Sequence, residues 1–316
     1  MILITGSAGY IGSHLSYYFE KKRIEYIGID NLVYSYKSNV KSSKKHFFFD
    51  IADQNKLENI IIKFNIKTVI HCAASSYVLE VEKNKKKSYL NNIVKTKKFI
   101  ETCHKNKIEN FIFLSSSNVY QEKNKDISLS EVSKKHPKNY YGKNKLEIEN
   151  FLKKKRFDKI LILRLFNIIG LFNFNFKPYE FKKKNYQRLI FKLIQNKKKD
   201  KFTEINYFIN NGKKNFPSRD FVDILDLVII IEKILKRLKQ TKKINKILNV
   251  ASNKSIQIDE IINFYKKKYK NKLKLKYNKI PKKELFFTKG TNSKLNKFIN
   301  FEPKKYIRNI LNTYHD

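Results

Sequence analysis

The sequence predicts an α/β chain: a doubly wound parallel sheet followed by a smaller C-terminal α/β unit. Three observations carry this expectation. Short apolar runs recur through the first half, lysine-rich segments of helical periodicity lie between them, and the first run ends in a glycine turn. Residues 2–5 read as a short buried strand and residues 10–22 as a helix. Further strands are expected at Tyr26–Ile29, His46–Phe49, Thr68–Cys72, Asn110–Leu114 and Ile160–Leu165, with helices near 53–64, 88–105 and 140–155. Such alternation implies parallel strands covered by helices on both faces. After Asn167 the pattern loosens into a Phe/Asn/Lys-rich stretch over 171–184. A helix at 185–196, a strand near 203–208, a strongly apolar helix at 222–238, a strand at Ile247–Val250 and a helix at 256–269 follow. The predicted division is 1–168 for a first domain and 169–316 for a second, with 222–250 returning to pack on the first.

Composition bounds the function. The chain has 316 residues, 41% of them hydrophobic, which is enough for a full core despite 31% charged residues. The net charge of +41 invites a polyanion reading. The lysines, however, lie in scattered runs such as Lys83–Lys87 and Lys197–Lys201, without a helix-turn-helix, zinc finger or RNP-like motif beside them. Lys, Asn, Ile, Phe and Tyr, all abundant here, share AT-rich codons, so base composition accounts for the charge and no specific nucleic-acid partner is expected. Two cysteines, Cys72 and Cys103, make neither a disulfide framework nor a zinc motif. With no leader-like start and no apolar stretch near bilayer length, a cytoplasmic protein with no membrane partner is expected. The histidines show no metal-ligand spacing.

Gly6, Gly9 and Gly12 stand as G-x-x-G-x-x-G at the junction of the first strand and first helix. Glycine permits the tight turn and a close backbone approach to a pyrophosphate, while the helix start supplies N–H donors. Asp30 ends the next strand eighteen residues past Gly12, a spacing that suits a carboxylate on the adenosine ribose hydroxyls and disfavours a 2′-phosphate. This is a Rossmann pattern, and the cofactor it predicts is NAD.

Tyr141 and Lys145 form a Y-x-x-x-K pair one helical turn apart, and Phe113–Tyr120 carries a serine cluster at a strand end, where open α/β sheets bind ligands. With the glycine turn, these motifs resemble the extended short-chain dehydrogenase/reductase superfamily, and within it the UDP-glucose (UDP-galactose) 4-epimerases. The resemblance covers nearly the whole chain. It includes Asp30-Asn31-Leu32, Asp50-Ile51, Val69-Ile70-His71, Leu163-Arg164, Phe166-Asn167, Arg219-Asp220-Phe221 and Asn292-Ser293-Lys294.

The resemblance implies Tyr141 as acid/base, Lys145 as the cation that favours tyrosinate, and Ser116 as the catalytic serine, with Ser117 the near alternative. Tyr10 and Ile11 would meet the pyrophosphate. Asp30, Asn31 and Ser35 would hold the ribose, with Asp50 and Ile51 near adenine. Cys72, Ala73, Ala74, Asn92 and Phe166 would line the cofactor channel. Asn167, Asn185, Phe208 and Arg219 would contact a UDP-sugar, and Thr288 would face the sugar C2 substituent. A homodimer pairing through two helices of the first domain is also implied. Departures are Ser76 and Pro281 where the family carries cations, Gln121 in place of a glycine and Ile168 in place of a proline. Related dehydratases and decarboxylases carry an acid immediately before the Val-Tyr of the serine strand. Here that residue is Asn118, an amide that cannot take up a proton. The expected reaction is therefore reversible 4-epimerisation of a UDP-hexose. The alternatives are another NAD-dependent epimerase, reductase or dehydratase of this fold, and a basic nucleic-acid-binding protein on the same scaffold.

Overall fold

The computed structural model describes residues 1–40, 45–123, 127–173, 176–179, 188–281, 284–303 and 307–314. Its first half alternates strand and helix. The strands are β1 (Ile2–Thr5), β2 (Tyr26–Asp30), β3 (His46–Phe48), β4 (Thr68–His71), β5 (Asn110–Ser116) and β6 (Lys159–Leu165). The helices are α1 (Tyr10–Lys21), α2 (Gln54–Lys63), α3 (Val78–Lys83), α4 (Lys85–Tyr89), α5 (Lys95–Lys105) and α6 (Tyr140–Lys153). Beyond β6 come β7 (Asn167–Ile169), β8 (Thr203–Asn210), β9 (Lys213–Asn215), β10 (Ser218–Arg219), β11 (Phe221–Asp223), β12 (Ile244–Val250), β13 (Ile256–Gln257) and β14 (Leu275–Lys279).

Seven strands form one parallel sheet in the order β12-β6-β5-β4-β1-β2-β3. Strands buried on both faces need continuous apolar sequence, and β5, which is buried along its whole length, carries Phe111-Ile-Phe-Leu114. One face is covered by α1 and the helix Ile224–Lys239, whose Leu15, Phe19, Leu227 and Ile231 share a core with Leu295. The other face is covered by α2, α5 and α6 through Leu57, Ile61, Phe99, Ile148 and Leu152. The chain order reverses between β1 and β4, so the loops after these two strands diverge and open a crevice at the carboxyl edge of the sheet.

The later residues contribute to both parts of the molecule. β12 is the seventh strand of the main sheet, paired with β6 from Ile244↔Lys159 to Val250↔Leu165. A separate three-stranded sheet, β14-β8-β9, packs with the helices Leu189–Lys198 and Ile258–Lys268 around Phe191, Leu193, Tyr265 and Leu311.

Two details depart from the sequence reading. The single helix expected at 88–105 is broken: α4 passes through a π turn at Leu90–Val94 before α5 begins. That turn carries Asn92 into the protein, where it accepts from the Ser75 N–H at 2.8 Å and donates to the Ser75 carbonyl at 3.0 Å. The short strands β7, β9, β10, β11 and β13 were not anticipated, because two- and three-residue pairings leave no periodicity to read, and the five-residue β14 was not anticipated either. Among the described residues no helix is long and apolar enough to cross a membrane.

Candidate active site

The crevice at the sheet edge opens into a cleft of about 1170 Å³ that runs from the end of β2 past the glycine turn and β5 to the C-terminal elements. At one end the backbone makes the site. Gly6 has φ +65°, and a Cβ there would lie 2.8 Å from the Ala73 backbone after β4. A Cβ on Gly12 would fall 2.1 Å from the Gly6 carbonyl oxygen, so only bare backbone lets α1 start this close to the turn. Gly9 is the N-cap of α1, and the helix start, with its unpaired N–H groups, borders the cleft. The Thr5 hydroxyl bonds the Ala73 N–H at 3.2 Å and the His71 ring at 2.8 Å, tying the two loops together. Burial pushes the His71 imidazole down to about 3, so it sits there neutral.

Asp30 closes this end. Its buried carboxylate accepts from the Ala8 N–H at 3.0 Å, the Leu32 N–H at 2.8 Å and the Ser35 hydroxyl at 2.8 Å, so it braces the glycine turn and the next loop at once. Gly6, Gly9, Tyr10, Ile11, Gly12, Asp30, Asn31, Ser35, Ile51, Cys72, Ala73, Ala74 and Phe166 all line the cleft. Asp50 and Asn92 stand behind the wall. Asp50 pairs with Lys95 at 2.5 Å and accepts from Asn31 at 3.2 Å; burial pushes its carboxyl up, but these bonds and the Ala52 N–H hold it below the usual range. A bare glycine crossing, an exposed helix start and a carboxylate at the next strand end suit an adenosine ribose and pyrophosphate, so these residues fit NAD.

In the middle of the cleft, β5 and α6 bring Ser116, Tyr141 and Lys145 together. Tyr141 is half-buried. Burial pushes its phenol above the ordinary tyrosine value, and a hydrogen bond with the Ser116 hydroxyl works the other way. Ser117 also lines the cleft, but it is the Ser116 hydroxyl that pulls on the phenol. Lys145 is nearly sealed, donating to the Leu114 carbonyl at 2.7 Å and lying 4.8 Å from the Phe113 ring centroid. Burial pulls its ammonium down to about 8, against the pull of Cys72 and Glu149. Without cofactor, burial is the largest influence on the phenol and holds it above its ordinary value. Behind this group, Arg164 and Glu149, both wholly buried, form a two-pronged pair at 2.6 and 3.0 Å, and Ser115 donates to the same carboxylate at 2.6 Å. The pair clamps β6, β5 and α6 into one frame.

The far end is built by side chains. Asn167, Arg219 and Thr288 line the cleft; Asn167 and the Asp220 N–H both approach the Thr288 hydroxyl at 3.3 Å. Both Nη groups of Arg219 are engaged by the protein itself. They donate to the carbonyls of Ser218, Leu285 and Phe286 and, at 3.3 Å, to Glu284. Phe208 lies outside the lining, stacked on Phe286 at 4.8 Å with Phe287 edge-on to it. Asn185 falls outside the described residues. The sequence reading passed over four further lining residues: Asn206 and Glu284 stand beside Arg219, while Arg188 donates to the Tyr77 hydroxyl and lies 4.4 Å from the Tyr10 ring centroid. None of these sits in a motif, although Arg188 was visible as a scarce arginine in a lysine-rich chain. Among the described residues no group of His, Cys, Asp and Glu could hold a metal ion.

Comparison with known proteins agrees with this geometry. The sequence is 34% identical over 220 residues to a dTDP-D-glucose 4,6-dehydratase of Dictyostelium discoideum, covering 62% of this chain and 49% of that protein. It is 34% identical over 148 residues to the UDP-glucose 4-epimerase of Halalkalibacterium halodurans, covering 47% of this chain and 44% of the other. The matched region thus spans about half or less of these curated relatives. The structure superposes on the UDP-glucose 4-epimerase of Brucella ovis in complex with NAD with a TM-score of 0.88, at 22% identity, over 99% of this chain and 96% of the other. Residues 2–251 match the family described as the NAD dependent epimerase/dehydratase family, and the chain belongs to that family.

Proposed function

We propose that the protein interconverts UDP-glucose and UDP-galactose by reversible 4-epimerisation. The observation that carries this reading is that Tyr141 and Ser116 line one cleft with Asn118, which stands two residues after Ser116 and is an amide where a dehydratase needs an acid. Tyr141 takes the proton from the sugar O4 and later returns it; Ser116 donates to the same oxygen; Lys145 supports the phenolate once its charge is in place. Bound NAD supplies the hydride acceptor and donor. One acid/base suffices, because epimerisation returns both proton and hydride to the carbon and oxygen they left.

In this reading residues 1–168 hold the cofactor, residues 169–316 hold the nucleotide-sugar, and 222–250 complete the first unit. Asp30, Asn31 and Ser35 serve the ribose, and the α1 amides at Tyr10 and Ile11 serve the pyrophosphate. A substrate diphosphate reaches Arg219 by displacing Glu284. Thr288 is small, and Phe286 and Phe287 turn toward Phe208, so the sugar pocket has room for an N-acetyl group at C2. The protein works in the cytoplasm as a homodimer. The exposed Tyr89, Leu90 and Val94 support pairing through that helical face, and sedimentation of wild type against Leu90→Glu tests it.

Incubation of the purified protein with UDP-galactose and NAD tests the reaction. The expected product is UDP-glucose of unchanged mass. A product lighter by one water would favour the dehydratase reading that the Dictyostelium relative keeps in view, and absence of any product would reject both.

A further inference from the structure

A chain of side-chain amides joins the serine strand to the helix that carries the tyrosine. Asn139 is the N-cap of α6, and its Oδ1 accepts from the Gly142 backbone N–H at 2.8 Å. A backbone N–H can only donate, so this bond fixes the orientation of the whole Asn139 amide. Its Nδ2 must then face the other way, and it donates to Asn118 Oδ1 at 2.8 Å. That bond in turn turns the Asn118 Nδ2 toward Ser116, where it donates to Oγ at 3.0 Å. The Asn118 backbone N–H donates to the same oxygen at 3.2 Å.

The consequence lies at Ser116. A hydroxyl has two lone pairs and one hydrogen. Both lone pairs of Ser116 are taken by Asn118, so the serine can offer only its O–H. It cannot accept a proton from Tyr141 or from a substrate hydroxyl. We infer that Asn118, oriented by Asn139, is a positioning residue that locks Ser116 as a one-way hydrogen-bond donor toward Tyr141 and the reacting oxygen. A donor of this kind favours tyrosinate over tyrosine and alkoxide over alcohol, which is the direction needed to begin proton abstraction. The contact is close-packed: a Cβ on Gly142 would lie 2.2 Å from the Asn118 carbonyl oxygen, so the serine turn rests directly on the first turn of α6. An alanine at position 118 would keep the backbone N–H but lose the Nδ2 donor, leaving one lone pair of Ser116 free to accept a hydrogen bond.

The inference rests on Tyr141 being the acid/base of the proposed reaction, and its test has a readout that does not depend on the sugar. In the NAD-bound holoenzyme, tyrosinate absorbance is titrated with pH, and the signal of Tyr141→Phe is subtracted to isolate Tyr141. Asn118→Ala should move the Tyr141 midpoint upward by about one pH unit. Asn139→Ser keeps a good helix cap and loses only the orienting Nδ2, so it should move the midpoint in the same direction by less. With UDP-galactose, kcat should fall by about tenfold in Asn118→Ala while KM stays within about twofold. An unchanged midpoint in a folded variant at either position would overturn the inference, as would a wild-type Tyr141 that ionises no earlier than the other tyrosines. Wild-type protein inactive on every UDP-sugar would sink the proposed function instead, leaving the titration to decide this point.

Discussion

The two ends of the cleft are built by different means. The end at β1, α1 and β2 is shaped by backbone: a left-handed Gly6, a Gly12 that tolerates no Cβ, and an Asp30 whose carboxylate bonds main-chain N–H groups. The end at β10, β14 and residues 284–290 is shaped by side chains. Arg219, Glu284 and Asn206 come from separate segments and hold one another, Asn206 donating to Glu284 at 2.8 Å and Glu284 pairing with Arg219, while Thr288 is met by Asn167 at 3.3 Å. Backbone geometry leaves few residue choices at fixed spacing, whereas a meeting of side chains can be assembled from many sequences. The first end therefore suits a cofactor common to a family, and the second suits a substrate that varies within it.

That contrast can be broken or sharpened by mutation. Tyr141→Phe removes the group on which both ends converge, so turnover should fall by about 10²–10⁴ while NAD affinity stays near wild type. Steady-state kinetics beside equilibrium NAD titration would show it, and near-normal turnover would refute the assignment. Gly12→Ala attacks the backbone end alone. The new methyl would press on the Gly6 carbonyl and the Ser7 backbone, so we expect a loss of about 3 kcal/mol in stability together with weakened NAD binding, read by urea denaturation and cofactor titration. A silent Gly12→Ala would mean that the turn yields more easily than its geometry implies.

Lys145 gives a prediction with a pH sign. Its folded value, about 8, lies below the unfolded value near 10.5, so between them the unfolded chain binds more protons and stability rises with pH. Without added cofactor, wild type should gain up to about 3 kcal/mol relative to Lys145→Met as pH climbs from about 8 to about 10.5. A constant difference across that range would show that the ammonium is not held at a cost. Thr288→Tyr touches only the side-chain end. It should lower kcat/KM for UDP-N-acetylglucosamine relative to UDP-glucose by about 10–100-fold, with NAD affinity unchanged. Equal losses on both sugars would place position 288 away from the C2 substituent.

The same contrast explains what could be read in advance. The parallel sheet, the glycine turn and the Ser116/Tyr141/Lys145 grouping were legible because each needs particular residues at particular spacings along one or two neighbouring elements. The amides of Asn118 and Asn139 were half legible: Asn139 is a good N-cap two residues before Tyr141, but nothing in the sequence shows that its other edge meets Asn118. Arg219 was legible as a scarce cation, yet its engagement by Glu284 and three carbonyls depends on how residues 284–286 fold back over β10. Phe208 is a similar case. Its strand was expected, but its turn toward Phe286 and away from the cleft is set by packing against a distant loop that no periodicity announces.

The central claim is that one acid/base at Tyr141 serves a reaction in which the hydrogen on C4 leaves and comes back. UDP-galactose deuterated at C4 tests it most directly. Incubated in ordinary water with the NAD-bound protein, it should yield UDP-glucose that keeps the deuterium at C4, because the hydride never exchanges with solvent. Loss of the label to water, or its appearance at another carbon, would contradict the account.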